Sequence, residues 1–390
     1  MELLHLKNEF LLRKDITFLN FGSFGACARP VFERYQQYQL ELEEEPLHFM
    51  MDKGPAYLKK AREALAKFIN CHADDVVYVT NPSYGVNIVA KNFPLQEGDE
   101  VLTTNLEYGA CDRAWKYYCR QKGATYKQNA IRLPLISKED FVQQFSAGIT
   151  DKTRLIFISH ITSATALRLP VEEICAVARK KNIPVFIDGA HAPGHIHLDL
   201  AALGADMYTG ACHKWMMTPK GSSFLYVRKE LQHLFDPLIV SWGYDAIAPS
   251  ASRFLDYHEM QGTRDFSAFL TIPDAIVFMQ KNNWPLVNKY CRDLAQKNAS
   301  QFCDLLHTNP LAPLTEEFII QMCSVEIKTE NTIQLHDILF NEYKIQVPIM
   351  QLGDKKFIRF SIQAFNSQHD LDRLYEALKE LISKGVVKIN

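Results

Sequence analysis

Residues 183–225 read IPVFIDGAHAPGHIHLDLAALGADMYTGACHKWMMTPKGSSFL. Pro184-Val185-Phe186-Ile187 is a short apolar run of the kind that forms a buried parallel strand, and it meets its first charge at Asp188. Leu198 to Leu203 suits one or two helical turns and Asp206 to Gly210 a second short strand, after which the loop carries His213-Lys214, Pro219 and Gly221. Asp188 and Lys214 are each expected at the carboxyl end of a strand. Ligands of open α/β sheets bind outside those ends, so the two are candidates for one site.

Such a pair suits pyridoxal phosphate chemistry. A lysine amine attaches the cofactor through its aldehyde, and an aspartate beside the ring nitrogen keeps the ring protonated, able to absorb electrons from a carbanion at a substrate's Cα. Alone, Asp188 would be a turn residue before Gly189 and Lys214 a solvated side chain. The surrounding text joins them: from Asp206 to Leu225 (D-x6-H-K-x6-G-x-S-x-L) the chain resembles the pyridoxal-lysine signature of the class V aminotransferase family, with Lys214 at the attachment point. Ala205 and Cys212 depart from that signature, and a Cys in place of Ser is expected to cost a phosphate hydrogen bond.

Outward from this block, strands alternate with helices. Val76 to Thr80, Val101 to Thr104 and Arg154 to Ser159 read as strands, and helices are expected from Asn81, through Trp115 and Tyr118, and from Pro170 to Lys181. That alternation implies a mostly parallel, doubly wound sheet. Earlier, Asn20-Phe21-Gly22-Ser23-Phe24-Gly25 suits close backbone approach or a plain turn, and helices are expected from Arg29 to about Glu45 and from Pro55 to Ile69. Residues 241–264 show little periodicity and read as a long functional loop outside the core. A helix from Trp284 to Leu306 then leads to strands near Met322–Ile327 and Phe357–Ile362 and helices near Thr332–Tyr343 and Gln368–Ser383.

Composition narrows the class of partner. The 390 residues are 47% hydrophobic and 23% charged, with 43 Lys+Arg against 45 Asp+Glu, which makes no case for nucleic acid or an anionic membrane. A small molecule is the expected partner. Nine cysteines, an odd number without a C-x-x-C pair, argue against a disulfide framework or a zinc site, so no metal is expected. MELLHLKNEFLLRKD has charges interrupting its apolar residues, and no run of 18 apolar residues occurs, so a cytoplasmic location is expected.

Asn81 to Asn87, Glu107-Tyr108-Gly109-Ala110, His160 to Thr165, the Asp188 to Leu225 block, Gly262-Thr263-Arg264 and Ile358-Arg359-Phe360-Ser361 together resemble the class V group of fold-type I pyridoxal phosphate enzymes, from about Asn20 to Asn366. LNFGSFG, LEYGA, SHITSATALRLPV, QGTRDFSAFL and YKIQVPI are most similar to the isopenicillin N epimerase-like branch. The resemblance implies an α/β fold-type I architecture: a large cofactor domain (1–280), whose N-terminal segment packs partly on the other body, and a smaller C-terminal α+β domain (281–390). It implies phosphate contacts from Ser83, the backbone of Tyr84, and His213; Tyr108 stacked on the ring; Ser163 near the ring's 3-hydroxyl; and His191 lining the ring. It further implies that Arg359 clamps the substrate carboxylate and that Thr263 reaches the phosphate of a neighbouring subunit, hence a homodimer with shared sites.

The expected activity is racemisation or epimerisation at Cα of an amino acid or small peptide, with Lys214 taking the proton, Asp188 supporting the ring, and Tyr84 a candidate for the opposite-face acid. Transamination and C–S lysis use the same scaffold, and a protein that binds the cofactor without catalysis is the rival from another class. Residues 340–357 contain no cysteine, which disfavours a persulfide mechanism.

Overall fold

Both Asp188 and Lys214 lie at the carboxyl edge of one sheet in the computed structural model, which describes residues 4–389. In chain order the strands are β1 (Thr17–Phe18), β2 (Val76–Val79), β3 (Glu100–Thr104), β4 (Thr125–Asn129), β5 (Thr153–Ser159), β6 (Val185–Gly189), β7 (Met207–Ala211), β8 (Ser223–Val227), β9 (Met322–Glu326), β10 (Ile345–Gln346), β11 (Ile349–Leu352) and β12 (Lys355–Ser361). Seven of them form the main sheet in the order β2-β8-β7-β6-β5-β3-β4. Its pairings are parallel except those of β8, which runs antiparallel to β2 and β7. This is the mostly parallel sheet expected from the alternation of strands and helices, and it agrees with the fold-type I architecture that the resemblance implies.

The central strands are apolar on both faces because both faces carry helices. Ile156, Ile158, Val185 and Ile187 join one hydrophobic cluster, while Leu155, Phe157, Phe186 and Met207 join the other. Such burial contributes about 1.5–3 kcal/mol per large side chain and fixes strand register, since a one-residue slip would exchange the two sets. Ser159 pairs with Asp188, and Asp188 with Thr209, so in these central strands polar residues meet at the carboxyl edge.

A second, antiparallel sheet, β11-β12-β9, carries Arg359 opposite Ser324. The N-terminal segment docks here: β1 pairs in parallel with β10, and the Ser361 N–H donates to the Leu19 carbonyl at 2.9 Å. The helical turn Phe21–Phe24 thereby comes to rest beside Arg359. The division expected at 280/281 falls in the last turn of the helix Ile272–Lys281; residues 1–3 and 390, at the outer limits of the expected domains, lie outside the described residues.

Two elements add to the sequence reading and one reading changes. The polar stretch Thr125–Asn129 is a strand because it pairs with β3 at the sheet edge, where no apolar alternation is needed. Lys138–Ser146 is an additional helix, burying Phe141 and Phe145. Within 241–264, Arg253–Glu259 is helical and buries Phe254, Asp256, Tyr257 and His258, so part of that stretch is core. No described helix is long and apolar enough to cross a membrane.

Candidate active site

A cavity of about 330 Å³ opens at the carboxyl ends of β5, β6 and β7, lined by residues that include Ser83, Tyr108, Ser163, Asp188, His191, His213 and Lys214. Seven of the expected contacts thus meet in one place. Larger cavities exist elsewhere, but this one holds the convergent titratable groups that chemistry requires.

Asp188 is buried, with Oδ1 accepting the Ala190 N–H at 3.0 Å and Oδ2 the Cys111 thiol at 3.4 Å. Burial raises its pKa, opposed by the Ala190 bond and by Lys214. Lys214 sits in the loop after β7, and burial lowers its amine to about 8 while Asp188 pulls the other way. Its Nζ lies 3.4 Å from His191 Nε2. His191 and His213 are both pushed toward the neutral form by burial, His213 to about 4. His213 directs Nδ1 at the Ser222 carbonyl, 3.1 Å away, so Nδ1 carries the proton.

The helix Pro82–Asn92 begins at this cavity. Its cap is Asn81, not Ser83: the Asn81 side chain accepts the Tyr84 N–H at 2.9 Å. The Tyr84 amide is therefore engaged, and the amide and hydroxyl of Ser83 remain as the donors at the helix N-terminus. The Tyr84 phenol donates to Gln261 Oε1 at 2.8 Å, and Tyr84 is not among the cavity-lining residues, which removes the geometric support for it as an acid at Cα. Thr263 is exposed and also outside this cavity. Cys212 is wholly buried and does not line it.

Arg359 is fully buried, flanked by Ile358 and Phe360, and burial lowers its pKa to about 10. It donates through Nη1 to the Ser163 carbonyl at 2.7 Å and hydroxyl at 3.2 Å, and through Nη2 to the Ser23 hydroxyl at 2.9 Å. Nε has no partner, and among the described residues no carboxylate faces it. A guanidinium buried with only neutral acceptors is suited to pairing with a carboxylate. The two glycines of residues 19–25 serve this packing: a Cβ on Gly22 would lie 2.9 Å from Ser361 Oγ, and one on Gly25, where φ is +63°, would collide with the His213 carbonyl.

Single-residue patterns did not single out several groups. Glu107 is buried beneath Ser159, whose N–H and hydroxyl both donate to Oε2, while Thr104 donates to Oε1 at 2.7 Å. Burial lifts its carboxyl to about 8. Cys111, Ser23 and Trp215 complete the surround; the sequence signals were the Asn20–Gly25 stretch around Ser23, the motif shared by Glu107 and Tyr108, and the adjacency of Trp215 to Lys214.

These residues suit pyridoxal phosphate. Asp188 is a buried carboxylate whose hydrogen bonds come from neutral donors, leaving it to meet a cationic ring nitrogen. Lys214 is an amine held near neutrality, Ser83 offers anion donors, and the cavity volume falls within the range of small-molecule sites.

The Aminotransferase class-V family profile matches residues 27–374. The chain is 32% identical to isopenicillin N epimerase of Amycolatopsis lactamdurans, covering 96% of this chain and 97% of that protein, and 29% identical to the same-named enzyme of Streptomyces clavuligerus at the same coverage. It is 25% identical to a probable chloroplastic L-cysteine desulfhydrase of Arabidopsis thaliana, covering 95% and 84%. Among solved structures, an apo cysteine desulfurase from Thermococcus onnurineus superposes with a TM-score of 0.81 at 18% identity, covering 97% and 98%. The cystine C-S lyase C-DES in complex with cysteine persulfide gives 0.82 at 20%, covering 94% and 98%; at these identities both speak to fold.

Proposed function

The chain belongs to the class V aminotransferase family of pyridoxal phosphate enzymes, and on that premise we propose that it breaks and remakes the Cα–H bond of an amino acid or small peptide, as an isopenicillin N epimerase-like racemase or epimerase. Pyridoxal phosphate, when bound, supplies an aldehyde for the substrate amine and a ring that draws electron density from Cα. In this reading Asp188 holds a proton at the ring nitrogen, and Ser83 and His213 hold the phosphate. Tyr108 covers the ring, and His191 and Ser163 border it. Arg359 takes the α-carboxylate and so orients Cα, while Lys214 removes the Cα proton.

The observation that carries the reading is Lys214: an amine brought down to about 8 in the same cavity as a buried Asp188 is poised as a general base. A persulfide route has less support. Cys323 is buried in β9 with its thiol pKa raised by burial, and Cys111 gives its thiol to Asp188. Elimination across a C–S bond needs no thiol nucleophile, and the similarity to a desulfhydrase keeps C–S lysis as the second reading, with transamination as the outcome if the proton is returned to the cofactor. A homodimer belongs to the same reading, with exposed Thr263 directed to a neighbouring copy's phosphate.

Incubating the holoenzyme with a panel of L- and D-amino acids and small peptides in deuterated water separates these. Cα deuterium with inversion supports epimerisation. Pyruvate and ammonia indicate lysis, and a keto acid with the aminated cofactor indicates transamination; exchange at no substrate's Cα would overturn the proposal.

A further inference from the structure

We propose that Trp215 is a positioning residue: by donating its indole N–H to Nδ1 of His191 it fixes that histidine's proton on Nε2, so that Lys214 faces a hydrogen-bond donor and is held as the free amine. The importance of that amine rests on the reading given above, but the hydrogen-bond geometry does not.

The Trp215 Nε1–H lies 3.3 Å from His191 Nδ1. An indole N–H can only donate, so Nδ1 must present its lone pair, and the neutral imidazole carries its proton on Nε2. Nε2 is the atom 3.4 Å from Lys214 Nζ. An ammonium has no lone pair; against Nε2–H it would set donor against donor, whereas the free amine completes the bond. The tautomer chosen by Trp215 therefore discriminates between the two states of Lys214.

Trp215 is built to hold that position. Its ring stacks on His195 at 3.7 Å and 11°, and Phe21 packs at 5.1 Å. His195 is committed at both nitrogens, Nδ1–H to the His191 carbonyl at 2.9 Å and Nε2 from the Gln321 N–H at 3.0 Å. Burial alone does not demand a partner for an indole here, since the N–H groups of buried Trp115 and Trp284 have none. The other groups acting on Lys214 are Asp188 on β6, which favours the ammonium, Arg359 on β12, which opposes it, and Cys111. His191 faces Lys214, Arg359, His195 and His213, all of which disfavour its protonation. Burial already lowers the amine against the pull of Asp188, and the donor at Nε2 acts in the same direction.

The test uses Trp215→Phe, which keeps an aromatic ring for the stack and removes the N–H along with the second ring of the indole, a packing change that the His191→Gln background controls for. In cofactor-free protein, ¹⁵N NMR of labelled histidine reads the His191 tautomer, and the pH dependence of trace acylation reads Lys214. Wild type should show the Nε2–H form alone. The variant should populate the Nδ1–H form and raise the Lys214 midpoint by roughly one pH unit, about tenfold less amine at neutral pH. In a His191→Gln background, whose amide can donate without help, Trp215→Phe should add no further shift. An unchanged tautomer and midpoint, or a shift that persists in the His191→Gln background, would overturn the proposal. Borohydride fixation of pyridoxal phosphate on wild-type protein tests the underlying reading separately: failure to label Lys214 would remove its cofactor role and leave the tautomer result standing.

Discussion

The cavity wall and the stretch from 236 to 263 are opposites in how their side chains are satisfied. In the wall, buried ionisable groups have assigned partners from the same chain: Asp188 with Ala190 and Cys111, Glu107 with Ser159 and Thr104, His213 with Ser222. The stretch is anchored, through the Gly243 N–H to Met260 at 3.2 Å and Ser250 to Asp256 at 3.0 Å, yet it presents Trp242 at 77% exposure and Ile247 at 92%, with Ile239, Val240 and Tyr244 also exposed. Anchored backbone with outward apolar side chains is the pattern of a surface that expects cover. The residues named as lining the cavity come from one chain, and in our reading a second copy covers this surface and brings its Thr263 to the phosphate.

The sharpest way to break that contrast is Lys214→Ala. It should abolish covalent cofactor attachment and lower Cα proton exchange by about 10³-fold or more, with the absorbance of the attached cofactor lost, while Lys220→Ala keeps it. Next comes Arg359→Leu, which removes the unpaired guanidinium. The KM for amino-acid substrates should rise about a hundredfold while the corresponding decarboxylated amines bind as before, read from initial rates and amine titration. Equal loss for acids and amines would mean the arginine merely supports the sheet.

Glu107 tests whether the wall's satisfaction extends to charge. Its carboxyl is lifted from the ordinary carboxylate value of 4.5 to about 8, so between those pH values the folded state binds a proton that the unfolded state has released. Stability should therefore fall as pH rises through that window and level off above about 8. Glu107→Gln removes the titration and should flatten that slope, leaving the variant roughly 3–4 kcal/mol more stable relative to wild type at pH 8 than at pH 5, read from denaturant midpoints. Parallel slopes in both proteins would show Glu107 ionised throughout.

The sequence disclosed what periodicity and spacing encode. Strands buried on both faces, such as β5 and β6, stand out as apolar runs, and the helix expected at Gln368–Ser383 is found there, its start fixed by a capping box between Ser367 and Asp370 that the structure reveals. β4 escaped because an edge strand of Thr, Lys, Gln and Asn owes its form to pairing with β3. At the site, spacing carried Asp188 and Lys214, and the family resemblance carried most of the rest. Neither could show that Glu107 bonds to Ser159, fifty-two positions away, or that Asn81 takes the Tyr84 amide. Tyr84 was drawn toward Cα by motif, but its phenol turns to Gln261 and it does not line this cavity, whereas Thr263 was expected at a neighbouring copy's phosphate and so belongs outside its own chain's cavity.

Replacing Trp242 and Ile247 together by Ser sharpens the other side of the comparison. If a second copy covers this face, the pair should weaken self-association about tenfold or more in sedimentation velocity while leaving a monomer of unchanged circular dichroism. Identical sedimentation of variant and parent would assign the exposed apolar side chains to some other role.

The smallest effect is expected at Ser83, and it asks whether the helix N-terminus acts through backbone or hydroxyl. Pro82 has no N–H, Tyr84 donates to Asn81 Oδ1, and Gly85 donates to the Asn81 carbonyl at 3.4 Å, so Ser83 alone offers both a free amide and a hydroxyl beside the cavity. Ser83→Ala keeps the amide and the helix dipole and loses one hydrogen bond, about 1 kcal/mol or fivefold in pyridoxal phosphate affinity. Affinity for pyridoxal, which lacks the phosphate, should not change. Asn81→Ala instead removes the side-chain cap, costing about 1 kcal/mol of folding stability, while the Tyr84 amide keeps its 3.1 Å bond to the backbone carbonyl of residue 81. The two variants should therefore separate, one in phosphate-dependent binding and the other in thermal midpoint. If Ser83→Ala weakens pyridoxal as much as its phosphate, the hydroxyl shapes the wall of the cavity and the anion is held elsewhere.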